Sequence, residues 1–341
     1  MKNHSILYLL LLFISSLMVV ASCSPLAPVS APNHPTASRP VIMGFSAWPG
    51  WFPWEVAREK GLFEAQGVNI DLKWFDGYLD SINAMAAGRL DANTQTLNDT
   101  ISSVAAGADQ VIVLVNDNST GNDKIIVRQG INTISDLKGK KIAAEQGTVD
   151  HFLLLLGLQQ AGLTQKDIEF IPLETGAAAA AFVAGRVDAV GVFAPFTTTA
   201  LKRSGSKELF SSRDFPGAIP DHLVVSRKLI ESNPQAVQGL VNTWFDTLTY
   251  MGENRAESYK IMAQRAGVTP EEYQQYDAGT TIFTLEDNLK AFSSHNDMTS
   301  LDYAAQKISS FLRESGLISQ QPDLSKLFES RFVKAYAPNR K

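Results

Sequence analysis

Cysteine is almost missing from this chain: Cys23 is the only one in 341 residues, and histidine occurs five times. A single thiol cannot close an internal disulfide and leaves no cysteine cluster for a zinc site. Stability must then come from a large apolar core, which a 45% hydrophobic share can supply. Positive charge is not in excess either. Lys and Arg number 30 against 35 Asp and Glu, for a formal net charge of -5, so the basic footprint of a nucleic-acid-binding protein is excluded. Beyond the first residues there is no long apolar run, and no membrane span is expected in the body of the chain. Gly-x-Ser-x-Gly, His-Glu-x-x-His and Walker-type loops do not occur, which removes the common hydrolase, metalloprotease and nucleotide signatures. No cofactor is expected, and the acidic loops lack metal-ligand spacing.

What is present begins with a targeting segment. Lys2 is a thin positive start, residues 6–20 are apolar, and Ala21 and Ser22 are small residues before Cys23. Val20-Ala21-Ser22-Cys23 resembles the lipobox of bacterial lipoproteins, which implies a signal peptide over 1–22 and lipidation of Cys23. Residues 23–40, rich in Pro, Ala and Ser, read as a tether. The remainder is long enough to favour two lobes over one core.

A near-duplicate pair organises that remainder: Ala87-Gly88-Arg89-Leu90-Asp91-Ala92 and Ala184-Gly185-Arg186-Val187-Asp188-Ala189. Each copy follows an Ala-rich helical run and leads into a strand. Strands over 41–45, 68–75 and 90–96 enclose helices at 53–60 and up to 85; strands over 141–144, 168–172 and 187–193 enclose helices at 149–160 and 176–184. Two β-α-β-α-β series imply parallel sheets with right-handed crossovers. A strand over 111–115 and a polar loop over 116–123 make the first crossing between lobes, and a second crossing falls near 216–225. Helices over 234–252, 256–266, 270–276 and 300–315 pack back around the first lobe. The expected architecture is α/β and two-lobed, each lobe a mainly parallel sheet flanked by helices. Lobe 1 takes 41–123 and 222–341, lobe 2 takes 124–221, and the two crossings form a hinge.

Several stretches carry a family resemblance: Ala57-Arg58-Glu59-Lys60-Gly61-Leu62-Phe63, Gly67-Val68, both Gly-Arg-x-Asp-Ala copies, and Ile134-Ser135-Asp136-Leu137-Lys138-Gly139-Lys140-Lys141. In these the chain resembles the substrate-binding proteins of bacterial ABC importers, of the nitrate/taurine/sulfonate type. The resemblance implies a type II periplasmic-binding-protein fold, an exported and lipid-anchored monomer without catalytic activity, and a small-molecule ligand passed to permease and ATPase subunits. Thiamine-pyrimidine synthases are similar in fold but depend on a cysteine-rich motif and active-site histidines, while Cys23 is taken up by the lipobox.

In an open α/β lobe, ligands sit beyond the carboxyl ends of the strands. Candidate ligand contacts are therefore Trp48, Trp51 and Glu55, then Asp76 and Tyr78, then Asn98 and Asp99 in the loop after the third strand. Asp123 stands at the first crossing. The second lobe offers Glu145, Thr148, Asp150, Glu174 and Phe193, and Asp221 and His222 stand near the return crossing. Some neighbours have plainer uses: Asp76, Asp80 and Asp150 as helix caps, Trp54 as core, Asp109 and Asp117 as solvated loop charges. Asp91 and Asp188 read as turn residues away from the cleft. The inventory is acidic and aromatic, with Lys and Arg only at the margins. Carboxylates and indole faces suit a small cation, each face contributing about 0.5–2 kcal/mol. Guanidinium is planar, stays charged, and presents in-plane donors to paired carboxylates. The Trp-rich loop and Asn98-Asp99-Thr100 also look like a subgroup linked to guanidine uptake. A small anion (nitrate, taurine or another alkanesulfonate, bicarbonate) is the alternative and would need helix N-terminal amides.

Overall fold

The computed structural model of the chain describes residues 39–336, so the signal segment, Cys23 and the tether through residue 38 lie outside the described residues. An apolar run forms β1 (Val41–Phe45), alternation forms β2 (Ile70–Trp74), and a buried polar stretch forms β3 (Ala92–Thr96), joined by helices Pro53–Glu59 and Tyr78–Ala86. Pro53 opens the first of these where its missing N–H costs nothing. Helix Leu97–Ala105 leads to β4 (Gln110–Ser119), which passes almost directly into β5 (Asp123–Val127). β6 (Lys141–Ala144), β7 (Glu169–Pro172) and β8 (Ala189–Phe193) alternate with helices Val149–Gln160 and Thr175–Val183, and β9 (Lys207–Ser211) follows. β10 (Pro220–Ser226) returns to the first sheet, and β11 (Thr280–Ile282) ends it. The sheets run β11-β4-β10-β3-β1-β2 and β7-β6-β8-β5-β9. Asp123 thus opens a strand of the second sheet, and Asp221 belongs to the first.

The duplicated motif does the same work twice. Gly88 and Gly185 stop their helices at φ 69° and 73°, a left-handed conformation that L side chains rarely adopt. The next amides, of Arg89 and Arg186, bond back to Ala84 and Ala181 at 3.0 Å. Asp91 then accepts the Ile42 amide at 2.9 Å and pairs with Arg39, while Asp188 accepts the Lys141 amide at 3.0 Å and pairs with Arg128. Each aspartate pins the start of a central parallel strand. The resulting orders β2-β1-β3 and β7-β6-β8 are equivalent.

Three local expectations need correction. Residues 98–100 are the first turn of Leu97–Ala105, not a loop, with Thr96 extended in front of it. Residues 116–119 continue β4, held between β10 and β11, where a loop was expected. Neither Asp76 nor Asp80 caps Tyr78–Ala86: Gly77 holds the N-cap position, and Asp76 accepts the Trp74 indole N–H at 2.7 Å. The C-terminal helices pack on the first sheet's layer, as Trp54 shows by lying 4.9 Å from Trp244 and 5.8 Å from Phe63 in a fully buried cluster. No described helix is long and apolar enough to cross a membrane.

Candidate ligand-binding site

Strand ends from both sheets converge on one small chamber. Trp48 and Trp51 reach it from the loop after β1, Tyr78 from the start of its helix, Thr96 from the end of β3 and Asp221 from β10. The opposite wall is Asp123 at the start of β5, Phe193 at the end of β8, and Val149 opening helix Val149–Gln160. Its free volume is ≈ 10 Å³, on the scale of one water site. The rings meet edge-on around it: Trp48–Phe193 at 6.3 Å, Tyr78–Phe193 at 6.1 Å, Trp51–Tyr78 at 5.3 Å and a tilted 46°. The Tyr78 hydroxyl accepts the Thr96 amide at 2.9 Å, which fixes its ring.

Negative charge gathers around these rings. One oxygen of Asp123 is buried without a hydrogen-bond partner, and Asp221 and the second oxygen of Asp117 find no protein donor but each other's carboxyl. A register shift in the β4–β10 ladder sets Asp117 directly opposite Asp221. Asp99 accepts the Thr96 hydroxyl and the Asn98 amide, each at 2.7 Å, and Asp150 accepts the Thr175 hydroxyl at 2.6 Å. Burial pushes Asp99 and Asp123 up to about 7 and Asp117 up to about 8. Burial also drives Asp150 and Asp221 well above the usual carboxylate range, with neighbouring carboxylates adding to the rise. Among the described residues no Lys or Arg lines the chamber. Mutually repelling, desolvated carboxylates held in fixed positions are what a bound cation would relieve.

Outside the chamber lies a wider vestibule of ≈ 320 Å³, lined in part by Asp80, Glu145 and Glu174. Glu174 is fixed as a cap, its oxygens taking the amides of Gly176 and Ala177 at 2.9 and 3.0 Å. Asp76 lines an adjoining opening with Trp74, Phe196 and Arg265. Among the described residues no group of three or more His, Cys, Asp or Glu is placed to hold a metal ion.

The model of the NMT1-like family matches residues 34–267, well over half of the chain. The chain belongs to the NMT1-like family. An Escherichia coli protein provisionally named as aliphatic sulfonates-binding is 29% identical over 244 residues, 70% of this chain and 75% of its own length. Among solved structures, the alkanesulfonate-binding protein SsuA from Xanthomonas axonopodis pv. citri, bound to MOPS, superposes with a TM-score of 0.73. It is 22% identical and covers 85% of this chain and 98% of its own. The desulfurization enzyme DSZB shares the fold more distantly, with a TM-score of 0.62 at 16% identity over 88% of this chain and 99% of its own. The α/β architecture of two sheet-and-helix bodies is thus that of the SsuA binding proteins.

In this NMT1-like chain the sequence candidates separate into groups. Trp48, Trp51, Tyr78, Asp123, Phe193 and Asp221 line the chamber; Asp99 and Asp150 sit buried beside it. Asn98 holds Asp99, and Thr148 bonds the Glu145 carbonyl at 3.0 Å. Asp76, Glu145 and Glu174 belong to the outer openings. Glu55 faces elsewhere: its carboxylate pairs with Arg58 and Arg265 at 2.5 and 3.2 Å on a separate surface. His222 pairs in register with Gln95 while Asp221 pairs with Thr96, so strand alternation turns His222 to the far face. Buried there, it is held to about 3 and stays neutral. Ala47, Thr96 and Val149 also line the chamber, and Asp117 stands behind it, though none is among the candidate contacts. Thr96 is a strand-end residue, a position that does signal the cleft. Asp117, expected to be a solvated charge, is fully buried and accepts the Trp48 indole N–H at 2.9 Å.

Proposed function

We propose that this protein is an exported receptor that captures a small organic cation, guanidinium or a close relative, between two lobes. It delivers the cation to the permease and ATPase subunits of an ABC importer, as a monomer lipid-anchored through Cys23, and has no catalytic role of its own. The two lobes, one built on each sheet, hinge where β4 passes into β5 and where the chain returns from β9 to β10. One observation carries the choice of ligand: the chamber joins Asp123 and Asp221 to the faces and edges of four aromatic rings, with no Lys or Arg in its lining. A planar cation there would give its in-plane N–H groups to unpartnered carboxylate oxygens and its faces to the rings. A chamber on the scale of one water site must widen as the lobes open to take even a four-heavy-atom ion, which disfavours larger ligands.

The names of the relatives favour a second reading, a sulfonate or another small anion. That ligand would need the carboxylates protonated, a state that burial favours at neutral pH for Asp117, Asp150 and Asp221, and the helix amides free. At neutral pH the amide of Val149 already favours the ionised form of Asp99, so an anion would have to displace that contact. Calorimetric titration of the purified protein with guanidinium, taurine and nitrate decides between them. Saturable guanidinium binding is expected; saturation by taurine or nitrate with no response to guanidinium would reject the cation.

A further inference from the structure

Unpaired negative charge is concentrated a second time, one step outside the chamber. Asp80 projects from helix Tyr78–Ala86, and Glu145 and Glu174 come from the ends of β6 and β7, so the vestibule is walled by both sheets' layers. Glu145 is only 4% exposed, yet one of its carboxylate oxygens is buried with no hydrogen-bond partner. Glu174 is already satisfied by its cap, which leaves Glu145 as the unspent acceptor. Burial, then the charges of Glu174, Asp99 and Asp80, raise the Glu145 carboxyl to about 8. Tyr78 and Asp80 stand in the same helical turn, Tyr78 lining the chamber and Asp80 the vestibule. Tyr78 and Phe193 meet edge-on at 6.1 Å in the chamber lining.

We propose that this vestibule is a second, outer binding station for the same class of small organic cation, occupied before the cation passes Tyr78 and Phe193 into the chamber. The inference rests on the cation reading of the chamber. No metal-holding cluster exists among the described residues, so a diffuse amidinium- or ammonium-type cation fits the station better than a divalent ion. An outer carboxylate ring raises the local cation concentration and with it the rate of capture.

The test uses the full purified protein and guanidinium. Stopped-flow tryptophan fluorescence reads entry into the chamber through Trp48 and Trp51. At pH 9, where Glu145 is ionised, Glu145→Gln and, separately, the exposed Asp80→Asn are expected to lower the association rate constant about 10-fold at low salt, with dissociation changed less than about 2-fold. Asp221→Asn, which cripples the chamber, should retain weak saturable guanidinium binding by ligand-observed NMR, and adding Glu145→Gln should abolish it. Wild-type association rates in both vestibule variants, or no residual binding in Asp221→Asn, would overturn the outer station while leaving the chamber intact. Absence of any guanidinium binding to the wild type would instead remove the chamber reading and this inference with it.

Discussion

The Trp48 indole N–H reaches 2.9 Å from Asp117 Oδ1, tying a ring of the chamber wall to a carboxylate that faces Asp221 across the β4–β10 ladder. That tie needs the small residue at Gly50. A Cβ built there would stand 1.8 Å from the other Asp117 oxygen and 2.1 Å from its carboxyl carbon. Gly50→Ala should therefore displace Asp117 and Trp48 together. The expected cost is about 1–3 kcal/mol of stability, with guanidinium affinity reduced at least about 10-fold. Urea unfolding and calorimetry check both, and an Ala variant that binds and unfolds like wild type would show that the tie does not matter.

Asp221 should carry more of the ligand's binding than any other carboxylate, since it lines the chamber and meets no protein donor besides the neighbouring Asp117 carboxyl. Asp221→Asn is expected to weaken guanidinium by about 2–3 kcal/mol, the range for a hydrogen bond to a charged group. Without ligand, the same variant should be as stable as wild type or more so at pH 8, because a buried carboxyl whose ionisation is opposed by burial and by Asp117 and Asp123 is gone. Improved binding of taurine with guanidinium unaffected would reverse the assignment. Calorimetry with both ligands reads this directly.

Much of this arrangement is legible in the chain before any coordinates. The left-handed glycines and the alternating strands announce the two β-α-β-α-β units, and strand direction points Trp48, Trp51, Tyr78, Asp123, Phe193 and Asp221 at one place. What stays hidden has local physical causes. Helix Leu97–Ala105 is rich in Asn, Asp, Thr and Ser, residues that compete for backbone hydrogen bonds and read as a loop. The irregular β4–β10 register leaves no mark in the sequence, so Asp117 passes for a surface charge. Glu55 is withdrawn by Arg265, a partner 210 positions away that no local pattern reveals. His222 is one residue from Asp221, and a one-residue step along a strand is a change of face.

Stability and binding should respond to pH in opposite directions. Burial holds Asp99 and Asp123 at about 7, and Asp117 and Glu145 at about 8, against ordinary values of 3.8 for Asp and 4.5 for Glu. Between those ordinary values and 7 to 8 the folded protein binds more protons than the unfolded chain, so its stability falls as pH rises. The contribution is complete below the unfolded pKa and is lost as pH climbs through 7 to 8. A cation prefers the ionised groups, so guanidinium should bind more tightly at pH 8 than at pH 6 and release protons as it does. Thermal unfolding from pH 5 to 8.5 should show the ligand-free midpoint declining and the guanidinium-induced shift growing. Titrations in buffers of different ionisation enthalpy count the protons, and proton uptake on binding would contradict the cation site.

The repeated aspartates are scaffold, and their removal should separate stability from binding. Asp91 and Asp188 each accept one strand amide and one arginine, and neither belongs to the chamber lining. Asp91→Ala and Asp188→Ala should each cost about 1–3 kcal/mol, since the orphaned amide and guanidinium lose a charged acceptor. Folded protein of either variant should bind guanidinium within about 2-fold of wild type. The two sites share no partner and belong to different sheets, so the double variant should be additive within about 0.5 kcal/mol. Urea unfolding monitored by circular dichroism measures the stabilities, and calorimetry well below the unfolding midpoint measures the affinity. A large affinity loss with stability intact would return these residues to the binding machinery.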